Sequence, residues 1–167
     1  MSRWKRILIH RWFDERDARR LLGHAALVRL TEHVRRSEQA HDGEIRLCIE
    51  AALPWRHLWR GTSARQRAVE VFSELRVWET ERNNGVLVYL LLAEHAIEIV
   101  ADRGLQALSP APDWQAVVAA AQPHLRQSAI EQGLLVAVEG VSQVLRAAFP
   151  PQGGKRDNQL PDTPDLR

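Results

Sequence analysis

The run Val86-Leu87-Val88-Tyr89-Leu90-Leu91-Leu92 is apolar at every position and shorter than an ordinary globular helix. A strand with no polar face must be covered on both sides, which places it at the centre of a sheet lying between two other layers. Asn83-Asn84-Gly85, just before it, are residues that tolerate positive φ in turns. After a tight turn near Ala93-Glu94, Ala96-Ile97-Glu98-Ile99-Val100-Ala101 is again strand-like, so the pair predicts an antiparallel hairpin. Upstream, Glu44-Ile45-Arg46-Leu47-Cys48-Ile49-Glu50 alternates polar and apolar residues with period two, as a half-buried strand does, and His41-Asp42-Gly43 supplies the turn into it.

The remaining segments read as helices. Leu27, Leu30 and Val34 form a stripe within a helix from about Asp14 to Ser37, and Leu21, Ala25 and Val28 widen it. Ser63 and Gln66 have capping-box spacing ahead of Ala64, Ala68, Val71, Phe72, Leu75 and Trp78, which predicts a helix ending near Thr80. Between them, Trp55 to Trp59 reads as a loop folded back over the core, with His57 in it. Asp113 caps a helix carrying Trp114, Val117, Val118 and Ala121, Pro123 interrupts the chain, and Ile130, Leu134, Val138, Val141, Leu145 and Ala148 line a long last helix. Helix, strand, helix, strand, strand, helix, helix is the order of an α/β three-layer sandwich, a mixed β-sheet covered by helices on both faces.

The 167 residues suit one domain. Residues 1–13 form a basic aromatic N-terminal arm, 14–149 the α/β domain, and 150–167, with four prolines and two glycines, a disordered tail. The net charge of +2 conceals an imbalance, because residues 1–40 hold ten Lys/Arg against five Asp/Glu and the rest hold thirteen against sixteen. In the arm, Trp4, Trp12 and Phe13 are interleaved with Arg3, Lys5, Arg6 and Arg11, a composition suited to a protein partner or an anionic membrane surface. No stretch approaches the roughly 20 apolar residues that cross a bilayer, and no signal-peptide core is visible, so a cytoplasmic location is expected. A nucleic-acid partner is disfavoured, since the positive charge is confined to one arm without a reading motif. The single cysteine, Cys48, removes internal disulfides and cysteine-based zinc cages.

If strands 44–50 and 86–92 are parallel, both begin at one edge of the sheet, and the antiparallel third strand ends there. Three loops then converge: Glu38, His41, Asp42 and Glu44 from the first; Thr80, Glu81, Asn83, Asn84 and Gly85 from the second; Asp102, Arg103 and Gly104 from the third. Carboxylates, an imidazole and amide oxygens suit a hard cation, Ca2+ or Mg2+, with Glu38, His41, Glu44, Asn84 and Asp102 as candidate ligands. Arg103 is the candidate anion-binding group. The competing reading is that these residues make capping bonds and salt bridges at a sheet edge. Phosphate loops, paired-histidine zinc motifs and nucleophile elbows are absent, and no catalytic residue is assigned.

Asn84-Gly85-Val86-Leu87-Val88-Tyr89-Leu90-Leu91 followed by Ile97-Glu98-Ile99-Val100-Ala101-Asp102-Arg103-Gly104 resembles the central strand pair of the TPM-domain family. Ser37-Glu38-x-x-His41-x-Gly43-Glu44-Ile45-Arg46 is similar to the start of its short soluble bacterial branch. The resemblance covers roughly residues 30–148 and implies the same sandwich. It also implies a choice of roles, since members are described as acid phosphatases, as calcium binders, and as factors in assembly or repair of membrane complexes. Asn84 and Asp102 match the family's polar sheet-edge positions, while Glu38, His41 and Glu44 match the short branch alone. The expectation is a soluble protein binding a divalent cation or phosphorylated ligand at the sheet edge, with metal-assisted phosphatase activity. The alternative is a non-catalytic interaction module serving a membrane-associated complex.

Overall fold

The computed structural model describes residues 15–108, 110–152 and 158–167, together with Arg6, Leu8, His10 and Arg11. The rest of the basic aromatic arm, with Trp4, Trp12 and Phe13, lies outside the described residues. In chain order the elements are α1 (Glu15–Glu38), β1 (Glu44–Glu50), α2 (Trp55–Arg60), α3 (Ala64–Glu74), β2 (Gly85–Leu91), β3 (Ala96–Ala101), α4 (Arg103–Gln106), α5 (Trp114–Arg126), α6 (Ile130–Ala148) and β4 (Asp165–Leu166). The sheet runs β3-β2-β1-β4. β1 is parallel to β2 and to β4, and β2 is antiparallel to β3. The doubly apolar β2 is thus an inner strand, as its composition requires.

Helices α1, α5 and α6 cover one face, where Leu30, Val34, Leu125, Leu134, Val138 and Val141 pack with Ile45, Leu47, Ile49, Val86, Val88 and Leu90. Helices α2 and α3 cover the other, where Leu58, Ala68 and Val71 pack with Leu87, Tyr89 and Leu91. The chain is a three-layer α/β sandwich with a mixed sheet.

Several local expectations are corrected. All seven residues of β1 are buried, so it is no half-buried strand. Its polar side chains face α3 and the C-terminal segment instead of water. That segment is the second correction: where composition predicts a disordered tail, Asp165–Leu166 pairs with Cys48 and Ile49, and Leu160 is buried. One apolar side chain and a two-residue ladder give residues 158–167 a seat that their proline content conceals. The Trp55–Trp59 segment is helix α2, closed by Gly61 at φ 70°, and its two indoles point outward. In α1, Ala18, Leu22, Ala26, Leu30 and Val34 are buried at intervals of four, whereas Leu21, Ala25 and Val28 are exposed. The backbone leaves the helical conformation at Gly23 (φ 69°, ψ 161°), and the four-residue spacing of buried positions continues across the break. Helix α3 has its capping box but stops at Glu74, because Arg76 turns left-handed (φ 52°), and Trp78 is exposed. Pro123 is accommodated inside α5, which continues to Arg126.

Candidate functional site

The predicted convergence at the strand-start edge is present. Glu44 lies opposite Gly85 in the β1–β2 ladder, and Asp102 N–H donates to Gly85 O at 2.9 Å, so the three loops meet in one row. The approach is close enough to dictate residue type. A Cβ on Gly85 would stand 2.0 Å from Val77 O, which no side-chain adjustment relieves. Asn83 takes φ 51° and completes the turn.

A cleft of about 690 Å3 opens at this edge and is lined by Glu38, His41, Asp42, Glu44 and Asn84. The last turn of α1 carries Glu38, whose Oε1 accepts from Ile45 N–H at 2.7 Å and so ties the helix end to β1. His41 donates from Nδ1 to Gly43 O at 3.1 Å, since a carbonyl can only accept. Glu44 is buried and its Oε2 accepts from Leu160 N–H at 3.2 Å. Asn84 receives Glu44 N–H on its backbone oxygen at 3.3 Å and donates its side-chain amide to Asp42 O at 2.6 Å. Asp42 in turn holds Arg82 at 2.6 Å, and that guanidinium lies 5.4 Å from the centre of the Phe149 ring.

Four of the five candidate ligands, Glu38, His41, Glu44 and Asn84, therefore share the cleft, and Asp102 and Arg103 lie outside its lining. Asp102 caps α4, its Oδ1 accepting from Arg103 N–H at 2.6 Å, while Oδ2 is buried without a hydrogen-bond partner. Arg103 donates to Asn83 Oδ1 at 2.9 Å. Among the described residues, no group of three or more His, Cys, Asp or Glu side chains is spaced to hold a metal ion directly. As a preformed inner-sphere cage, the candidate set does not fit a cation.

Sequence reasoning missed the far wall of the cleft, which includes Gln152, Asn158, Gln159 and Asp162 from the C-terminal segment. Gln159 Oε1 accepts from Glu81 N–H at 3.0 Å, fastening that wall to the β2 loop. Nothing in so short and polar a stretch announces this role except Leu160 between prolines and amides. Arg35 and Arg82 also line the cleft and supply its guanidinium groups. Cys48 is buried, and burial first, then the neighbouring Asp165 carboxylate, push its thiol far above the ordinary value, which disfavours the thiolate.

A sandwich of this topology with a polar strand-start cleft defines a class of α/β domain, and the comparisons with known proteins identify the class. The TPM domain model matches residues 16–144, and the chain belongs to the TPM-domain family. The structure is similar to that of BA42 from the psychrophilic bacterium Bizionia argentinensis, with TM-score 0.69 and 26% identity over 84% of this chain and 92% of that one. It also resembles the N-terminal domain of a P. gingivalis protein, with TM-score 0.60 and 22% identity over 77% and 79% of the two chains, a likeness of fold. No curated protein matches the sequence. No helix among the described residues is long and apolar enough to cross a membrane.

Proposed function

We propose that the strand-start cleft binds a hydrated divalent cation, Mg2+ or Ca2+, together with a phosphorylated ligand. The observation that carries this reading is the charge of the lining: Glu38, Asp42, Glu44, Glu81 and Asp162 set against Arg35 and Arg82. Carboxylates in excess favour a cation over a lone anion. Without three side chains spaced for direct ligation, the protein offers one or two oxygens, and water with a phosphate oxygen completes the shell, as is usual for Mg2+. Arg35 and Arg82 would orient the phosphate through charge-assisted hydrogen bonds. A cation so placed supplies polarisation of the phosphoryl oxygen, which is the basis for a phosphatase activity.

Cation and phosphate sharing one site must bind cooperatively, because each improves the other's affinity by the same factor. Thermal unfolding with Mg2+ or Ca2+, with inorganic phosphate, and with both should therefore give a midpoint rise for the pair larger than the two separate rises combined. Glu44→Gln should abolish that excess. The absence of a shift in every arm, with EDTA as reference, would sink the site. Hydrolysis of a generic phosphomonoester, compared between the wild type and Glu44→Gln, separates an enzyme from an interaction module that binds without turnover.

A further inference from the structure

At the other end of the sheet, where β1 leaves the core and β2 turns into β3, the surface has a different chemistry. Helix α2 turns His57 and Leu58 inward and leaves Trp55 and Trp59 exposed by 58% and 50%. Their rings meet edge to face, with centroids 5.4 Å apart, as one indole platform. Arg56 and Arg60 alternate with them along the helix and are exposed as well. Arg60 shares a shallow depression with Arg65 and Val69 of the adjacent α3.

The N-terminal segment docks at this same end. Arg6 donates to Glu94 Oε1 at 2.5 Å and to Thr62 O at 2.6 Å, and His10 accepts from Leu53 N–H at 3.0 Å while its Nε2 meets Glu94 at 2.8 Å. Leu8 and Arg11 of that segment are exposed. Of the nearby carboxylates, Glu94 is taken by Arg6 and His10, and Glu70 lies 3.3 Å from Arg67. Cations and large apolar groups are left facing outward together.

We propose that this end of the molecule docks on an anionic phospholipid surface, with Trp55 and Trp59 at headgroup depth and Arg56 and Arg60 against lipid phosphates. Charge complementarity points to an anionic surface, since Arg11, Arg56 and Arg60 are exposed at this end beside the indoles while the nearby Glu94 already faces Arg6 and His10. Indoles partition to the membrane interface, and basic side chains add attraction to anionic headgroups, so apolar insertion and charge act as the two signals that stable peripheral attachment needs. The proposal is independent of the ligand assigned to the strand-start cleft, which lies at the opposite sheet edge.

Co-sedimentation of the full chain with vesicles tests it. Vesicles of phosphatidylcholine containing about one-third phosphatidylglycerol should retain the protein, vesicles of phosphatidylcholine alone should not, and added salt should release it. Trp55→Ser/Trp59→Ser and Arg56→Glu/Arg60→Glu should each lower retention by at least about tenfold while circular dichroism shows the fold retained. If a variant unfolds, quenching of tryptophan emission by brominated lipid reads the same contact when the wild type is compared with Trp55→Phe and Trp59→Phe, since the chain holds six tryptophans and the difference isolates these two. No retention by anionic vesicles at low salt, retention undiminished in both folded variants, or no bromolipid quenching of Trp55 and Trp59 would overturn the proposal. Capture by polyglutamate without capture by vesicles would replace lipid with an acidic polypeptide.

Discussion

On one face of β1, Ile45, Leu47 and Ile49 join an apolar layer built with α1, α5 and α6. On the other, Glu44, Arg46, Cys48 and Glu50 are equally buried, beneath α3 and the C-terminal segment. Arg67 of α3, itself 3% exposed, lies 3.0 Å from Glu50 Oε2, and Tyr89 O–H donates to the same oxygen at 2.5 Å. Burial opposes the charge on Arg67, but hydrogen bonds to Glu50 and Glu74 outweigh it and hold the guanidinium above its ordinary value. Arg46 reaches the backbone oxygens of Pro161 and Thr163. The apolar face tolerates imprecision, since any side chain of the right volume fills it. The charged face does not, because each ion there was desolvated at a cost that a particular partner offsets.

Removing one partner separates the two faces most sharply. Arg67→Met should destabilise the fold by about 4 kcal/mol, because Glu50 is left buried beside a thioether. Leu134→Ala, deleting a fully buried side chain on the apolar face, should cost about 3 kcal/mol. The diagnostic difference is rescue. Adding Glu50→Gln to Arg67→Met removes the uncompensated charge and should restore more than half of the loss in urea unfolding, whereas in Leu134→Ala, where Arg67 remains and loses its carboxylate, it should deepen the loss. Equal losses in Arg67→Met and the double variant would mean that an unpaired Glu50 charge is not what destabilises Arg67→Met.

The C-terminal segment belongs to the charged face, and its deletion gives the next largest effect. Loss of residues 158–167 exposes the surface under Leu160 and strips Arg46 of its carbonyl acceptors, for about 3 kcal/mol. It also bares the outer edge of β1, where Ala51 N–H now donates to Arg167 O and Arg167 N–H to Ile49 O. An uncovered buried strand pairs with other chains, so self-association on size-exclusion chromatography should accompany the lowered urea midpoint. An unchanged midpoint would show that the segment rests on the charged face without holding it.

These contrasts explain what was legible in the sequence. The three long strands could be read because Val86–Leu92 has no polar face and Glu44–Glu50 alternates, and their directions because a helix connects β1 to β2 and a tight turn connects β2 to β3. From those directions followed the meeting of Glu38, His41, Glu44 and Asn84 at one edge. Alternation does not say what covers the polar face, however. Glu44, Arg46 and Glu50 look solvated until Arg67, Tyr89 and Leu160, 17 to 116 positions away, are brought over them. Likewise the apolar residues of α1 fit more than one stripe, and periodicity alone does not say that Leu22, Ala26, Leu30 and Val34 turn inward while Leu21 and Val28 turn outward. Asp102 was assigned to the site from the edge it occupies; its role as the cap of α4 depends on where its carboxyl group turns.

The subtlest contrast between the faces is in acid. Burial would raise the Glu74 carboxyl, but hydrogen bonds from Arg67 and Arg167 overcome it and hold the group below its ordinary value of 4.5. A carboxyl depressed in the folded state contributes stability that is fully present above the unfolded value and is lost as pH falls through the folded one. Stability should therefore decline as pH drops below about 4.5, and Glu74→Gln should flatten that decline while lowering stability slightly at neutral pH. With a side chain 40% exposed, Glu74 is partly screened by solvent, which makes this the smallest of the effects. Leu134→Ala should lower the whole pH curve without changing its slope, since no ionisable group is touched. Urea unfolding at stepped pH from neutral down to about 3 distinguishes the two. A Glu74→Gln curve parallel to the wild type would place the acid sensitivity with another depressed carboxyl, such as Glu94 beside Arg6 and His10.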